Sequence, residues 1–82
     1  MLRYKLFFTP MCPNCPKVKE FMQGVGMKGE FIDASTDEGL AQAEKFEISS
    51  VPTVVFLDDD NVKSVAHSVE EIKRVIQNKT LV

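Results

Sequence analysis

Pro13 lies inside the motif Cys12-Pro13-Asn14-Cys15 and Pro16 lies directly behind it, and these two rings constrain the following chain more than any other feature. Proline has no N–H to donate and collides with the preceding turn of a helix interior, yet it is tolerated in a helix's first turn. The next residues do carry a helical pattern: Val18, Phe21, Met22 and Val25 recur at the i, i+3, i+4, i+7 spacing of one buried face. Both prolines then belong to the first turn, which predicts a helix start at about Cys12. The amides of Asn14 and Cys15 are orphaned by that helix and lie near the Cys12 sulfur, at the positive end of the helix dipole. Such a setting favours a thiolate over a thiol. Cys12 is therefore the expected nucleophile, and Cys15, three residues on, is within reach to close a disulfide with it.

The rest of the composition narrows the class. Eighty-two residues make one small domain, residues 1–82, near the lower end of what builds its own core. With 44% hydrophobic and 27% charged residues the chain reads as soluble and globular rather than disordered. A net charge of −2 and the lack of a Lys/Arg run argue against a nucleic-acid binder. Leu6-Phe7-Phe8 and Val54-Val55-Phe56-Leu57 are the longest apolar runs, too short to span a bilayer. No signal-peptide pattern is evident, so a cytoplasmic monomer is expected. In a reducing compartment, one cysteine pair is a catalytic or metal-binding feature rather than a structural staple.

The order of elements is readable. Arg3 to Phe8 reads as a strand ended by Thr9-Pro10, and the helix after Cys12 is expected to stop at Gly24, Gly26 and Gly29. Glu30 to Asp33 is a weaker strand. Ser35-Thr36-Asp37-Glu38 matches a capping box and announces a helix burying Leu40, Ala43 and Phe46. Thr53 to Leu57 and Val62 to Val65 form a hairpin around the acidic turn Asp58 to Asn61. Ser68-Val69-Glu70-Glu71 caps a last helix that turns Val69, Ile72, Val75 and Ile76 inward, with Lys73, Arg74 and Lys79 toward its C-terminal end. The string is β-α-β-α-β-β-α. It predicts an α/β fold with a four-stranded mixed sheet, a right-handed parallel crossover between the first two strands, and helices on both faces.

Phe8-Thr9-Pro10-Met11-Cys12-Pro13-Asn14-Cys15-Pro16, followed by Ile48-Ser49-Ser50-Val51-Pro52-Thr53, resembles the thioredoxin/glutaredoxin superfamily. The resemblance runs from Lys5 to Ile76 and looks most like the small archaeal-type, glutaredoxin-like thioredoxins with a C-P-x-C centre. It implies a minimal thioredoxin fold and a thiol-disulfide oxidoreductase that reduces protein disulfides without a bound cofactor or metal. Cys12 would attack a substrate disulfide and Cys15 would resolve the mixed disulfide. Pro52 resembles the superfamily's cis-proline, and the backbone of Val51 would pair with an extended substrate segment. Met11, Pro13 and Asn14 would complete the substrate-binding surface, with Thr9 and His67 as candidates for its rim. The implied partners are protein disulfides together with a thioredoxin-reductase-like or glutathione-linked reductant.

Topology brings His67 to this rim independently. The first strand ends at Cys12 and the third starts there, so the fourth returns Ala66-His67-Ser68 to the same pole. There the histidine would either favour a thiolate, contact a partner, or be a solvated loop residue.

Departures from the family separate competing readings. Glutaredoxins carry a basic residue before the motif and a Gly-Gly-acidic signature after strand four, both gripping glutathione; Thr9 and Ala66-His67-Ser68 stand there instead. Thioredoxins carry a Trp beside the motif and an acid beneath it, where this chain has Phe8 and Leu6. The alternatives are a glutaredoxin-like redoxin donating electrons to a dedicated partner such as ribonucleotide reductase, and a metal-binding module. The latter would supply two thiolates, with His67 as the further ligand, to a site that needs four.

Overall fold

The computed structural model describes the backbone of residues 2–80 and the side chains of residues 2–77. Its elements are β1 (Leu2–Phe8), α1 (Cys15–Gln23), β2 (Lys28–Asp33), α2 (Asp37–Lys45), β3 (Thr53–Asp58), β4 (Asn61–Ala66) and α3 (Val69–Thr80). The expected β-α-β-α-β-β-α order therefore holds. The sheet order is β2-β1-β3-β4, with β1 and β2 parallel and the β1/β3 and β3/β4 pairs antiparallel.

Strand β3 shows why its sequence is an unbroken apolar run. It is an inner strand with helices over both faces, and Thr53 through Leu57 are all buried. On one face, Val54 and Phe56 join Tyr4 and Leu6 against Val18 and Met22 of α1 and Ile72 of α3. On the other, Val55 and Leu57 join Phe7 and Ile32 against Ala43 of α2. The expected α3 contacts hold: Ile72 is fully buried, and Val69, Val75 and Ile76 pack against the same cluster. The Lys79 side chain lies outside the described residues. No helix among the described residues is long and apolar enough to cross a membrane.

Five local readings need correction. Helix α1 starts at Cys15, not Cys12, because Pro16 has no N–H to give the Cys12 carbonyl and the helical ladder cannot begin there. It ends at Gln23, so Val25 packs on the core from beyond the helix. Gly29 does not end a helix: it lies within β2, opposite Tyr4, where a Cβ would run into the Tyr4 ring. The N-cap of α2 is Thr36, whose Oγ1 accepts from the Gly39 amide at 3.0 Å, while Ser35 bonds back to Asp33. Gly39 leaves no room for a Cβ beside the Asp33 carbonyl. That close approach turns the Gly39–Ala43 line toward the sheet and rotates Leu40 out, leaving it 51% exposed rather than buried.

The α2 C-terminus carries a signal hidden in the sequence. Ile48 N–H donates to the Ala43 carbonyl (2.7 Å) and Glu47 N–H to the Glu44 carbonyl (3.1 Å), a Schellman motif around the C-cap Phe46. Its left-handed residue is Glu47, at φ 58°, where glycine is the usual choice. Replacing Glu47 with Gly removes a steric penalty larger than the entropy that glycine adds to the unfolded chain. Glu47→Gly should stabilise the fold by roughly 0.5–1 kcal/mol, read as a higher urea midpoint at unchanged slope; a lower midpoint would contradict this account of the turn.

Candidate functional site

Antiparallel pairing of Phe7 with Thr53 sets the end of β1 beside the start of β3, so the cysteine segment and Pro52 share one pole of the sheet. Beyond β1 the chain turns tightly, and Cys12 N–H donates to the Thr9 carbonyl at 3.2 Å. Cys12 lies in this turn, half-buried, and Cys15 is the first residue of α1 and only 2% exposed. Both are free thiols in this structure. The helix's N-cap is Asn14, which makes no side-chain capping bond. Pro13 and Asn14 are exposed in the turn, and Met11 is 90% exposed ahead of it.

The two thiols differ in surroundings. Burial pushes the Cys15 thiol up to about 11, and a hydrogen bond to the Cys12 side chain and the nearness of Cys12 push the same way. A backbone hydrogen bond from Thr9 and the charge of Lys19 oppose them. The inner thiol thus favours its protonated form. A groove of about 720 Å³ runs along the pair, lined also by Phe8, Thr9, Lys19 and Glu20.

At the start of β3 the Val51-Pro52 peptide is cis, Val51 is half-buried and Pro52 is buried. Thr53 Oγ1 donates to the Ser50 carbonyl at 2.7 Å, which uses its single proton. It therefore accepts from His67 Nδ1, 3.1 Å away, and the ring carries a proton on Nδ1. The His67 amide donates to Glu71 Oε1 at 3.2 Å, and the Glu71 amide donates to Ser68 Oγ at 3.2 Å. His67 is thus tied to the residue after Pro52, at the pole where the strand order puts it, with its side chain largely exposed.

Sequence reasoning missed the Thr53–His67 bond and the place of Lys19 in the groove. The Lys19 signal was available, since residues four apart share a helix face and Cys15 and Lys19 are so spaced. Among the described residues no three His, Cys, Asp or Glu side chains converge as metal ligands.

Residues 4–62 match the Glutaredoxin family. Over 62 residues the chain is 40% identical to a probable thioredoxin of Archaeoglobus fulgidus, covering 71% of this chain and 68% of that protein. The chain belongs to the thioredoxin/glutaredoxin superfamily. A thioredoxin of Bacillus subtilis is 31% identical over 81 residues, which cover 92% of this chain and 78% of that protein. Among solved structures, oxidised thioredoxin O2 of Arabidopsis thaliana superposes with a TM-score of 0.82 at 15% identity, covering 99% of this chain and 75% of that one. Thioredoxin 1 of Thermosipho africanus gives 0.76 at 21% identity, covering 95% and 93%. These last two establish the thioredoxin fold. By its superfamily membership this chain is a redox protein of thioredoxin/glutaredoxin type.

The asymmetry of the thiols has a pH consequence. Because folding raises the Cys15 thiol from an ordinary value near 9 to about 11, the folded state holds a proton that the unfolded state releases. The reduced protein should therefore lose stability as pH rises through that window. Burial raises Tyr4 as well, which adds loss in the same direction. Cys15→Ala isolates the thiol's share: its denaturation midpoint should fall less steeply between pH 9 and 11 than that of the reduced parent protein, and equal slopes would remove the case for a buried protonated Cys15.

Proposed function

We propose that this protein is a thioredoxin-type reductase of protein disulfides, cycling between the Cys12/Cys15 dithiol and their disulfide. The observation that carries the reading is the unequal pair: a partly exposed sulfur in a turn and a buried one at the start of α1, whose thiol burial pushes up. An incoming disulfide reaches Cys12 more easily than Cys15. The Cys12 sulfur bonds one substrate sulfur and expels the other as a thiol. Cys15 then attacks the Cys12 sulfur, the first substrate sulfur leaves, and the protein is left oxidised with two substrate thiols released. Two electrons pass from protein to substrate, and the buried proton ends on the leaving sulfur.

Substrate recognition in this reading rests on backbone and apolar surface. Val51, beside the buried Pro52, offers main-chain groups to an extended segment, and Met11, Pro13 and Asn14 form the exposed approach to Cys12. Thr9 and His67 lie at the rim. The protein regains its dithiol from an external reductant in the cytoplasm, a thioredoxin-reductase-like flavoprotein in the leading form of the proposal. The match to the Glutaredoxin family favours a second form, with glutathione as reductant and a dedicated acceptor such as ribonucleotide reductase. Against it stand Thr9 and Ala66-His67-Ser68 in place of the basic and Gly-Gly-acidic residues that would hold glutathione.

Single-cysteine variants test the assignment. Cys12→Ser should abolish reduction of a disulfide-bonded protein by dithiothreitol-recycled enzyme. Cys15→Ser should accumulate stable mixed disulfides, visible as summed masses on non-reducing electrophoresis. Stable adducts in the Cys12 variant instead would reverse the roles. Coupled assays with NADPH and a flavoprotein reductase, or with glutathione, separate the two forms, and turnover is expected with the former.

A further inference from the structure

We propose that Lys19 is a positioning residue for the resolving step: its ammonium, clamped on the wall of the thiol groove, stabilises the Cys15 sulfur as it turns into a nucleophile. The inference rests on the exchange reading above and concerns a pair of cysteines with no buried acid near it among the described residues.

Geometry comes first. Lys19 is one helical turn beyond Cys15 on α1, so both side chains share a face, and both line the groove that also holds Cys12. The side chain is half-buried, and its Nζ is 4.1 Å from the centroid of the Phe8 ring and 5.5 Å from that of Phe31. Two aromatic faces from β1 and β2 thus fix a long, flexible cation that would otherwise sweep through solvent. They hold it on the wall of the groove that the buried Cys15 also lines.

The charged and titratable groups around this pair are few. Cys12 faces Cys15 from the preceding turn and opposes its ionisation; Lys19 favours it. Asp33, at the end of β2, lies within the electrostatic reach of Lys19. Glu20 lines the groove and is exposed. Leu6, Phe8 and Val18 supply no ionisable group. Among the described residues, Lys19 is the cation whose charge favours the ionised Cys15 sulfur.

The step balances without a further reagent. In the mixed disulfide, Cys15 loses its proton, its electron pair forms the S–S bond to Cys12, and the Cys12–substrate bond breaks toward the substrate sulfur. That sulfur leaves with the electron pair and takes up a proton. Lys19 neither gives nor accepts a proton; it lowers the energy of the anionic sulfur on which the attack depends.

The test is stopped-flow reaction of the reduced full-length protein with 5,5′-dithiobis(2-nitrobenzoate). Attack by Cys12 releases one thionitrobenzoate, and resolution by Cys15 releases the second. Lys19→Gln should move the pH profile of the second phase to higher pH and slow that phase at pH 7 by roughly three- to tenfold. Lys19→Arg, which keeps charge and can stack on the rings, should stay within about twofold of the parent. Lys19→Met keeps an apolar stem on Phe8 without the charge and should behave like the Gln variant, which separates charge from packing. An unshifted second phase in Lys19→Gln, or equal slowing by Gln and Arg, overturns the role. Release of only one equivalent by the parent protein would instead overturn the exchange reading itself.

Discussion

Pro16 cannot donate to the Cys12 carbonyl, and from this one missing hydrogen bond the character of the site follows. The helix cannot take Cys12 into its first turn, so Cys12 stays in the Thr9–Cys12 turn while Cys15 becomes the first residue of α1. Both sulfurs line the groove, but one is left partly exposed and the other is buried. Two cysteines three positions apart in a regular helix would have shared one face and more similar surroundings. In the proposed exchange reaction they would divide the work between an accessible atom and a guarded one.

The sheet carries this asymmetry. β3 is buried on both sides, between the α1/α3 layer and α2, and its antiparallel pairing with β1 fixes where Pro52 lies relative to the cysteine turn. β4 then returns the chain to the same pole, and the Thr53 hydroxyl, spent on the Ser50 carbonyl, ties down the His67 ring. Core packing and site geometry are one construction. Phe8 both closes β1 against the hydrophobic core and presents the face on which the Lys19 ammonium rests.

Much of this was legible in the sequence because two signals are strong. The Cys-Pro-Asn-Cys-Pro run and the Val-Pro-Thr segment, joined by apolar periodicity, were enough for element order, sheet type and the two thiols. The pole shared by Cys12, Pro52 and His67 followed from strand direction alone. What escaped depends on backbone detail that pattern cannot carry. The prolines were read for where a helix tolerates them, not for the carbonyl that Pro16 leaves without a donor. Leu40 fits a helical stripe, but the tight approach of Gly39 to Asp33 rotates it outward. Gly29 resembles a helix stop and is a strand residue beneath Tyr4. The end of α2 was obscured because Glu47, rather than a glycine, takes the left-handed position. Lys19 went unremarked because its hold on the rings of Phe8 and Phe31 depends on how β1 and β2 pack against α1.

The central claim is that the two sulfurs are chemically unequal in the folded, reduced protein. Limiting iodoacetamide at neutral pH, followed by peptide mass spectrometry, tests it most directly by counting label on each cysteine. The account predicts that Cys12 carries nearly all of the first label and that Cys15 reacts only when the protein is unfolded. Equal labelling of both, or faster labelling of Cys15 in the native fold, would contradict it.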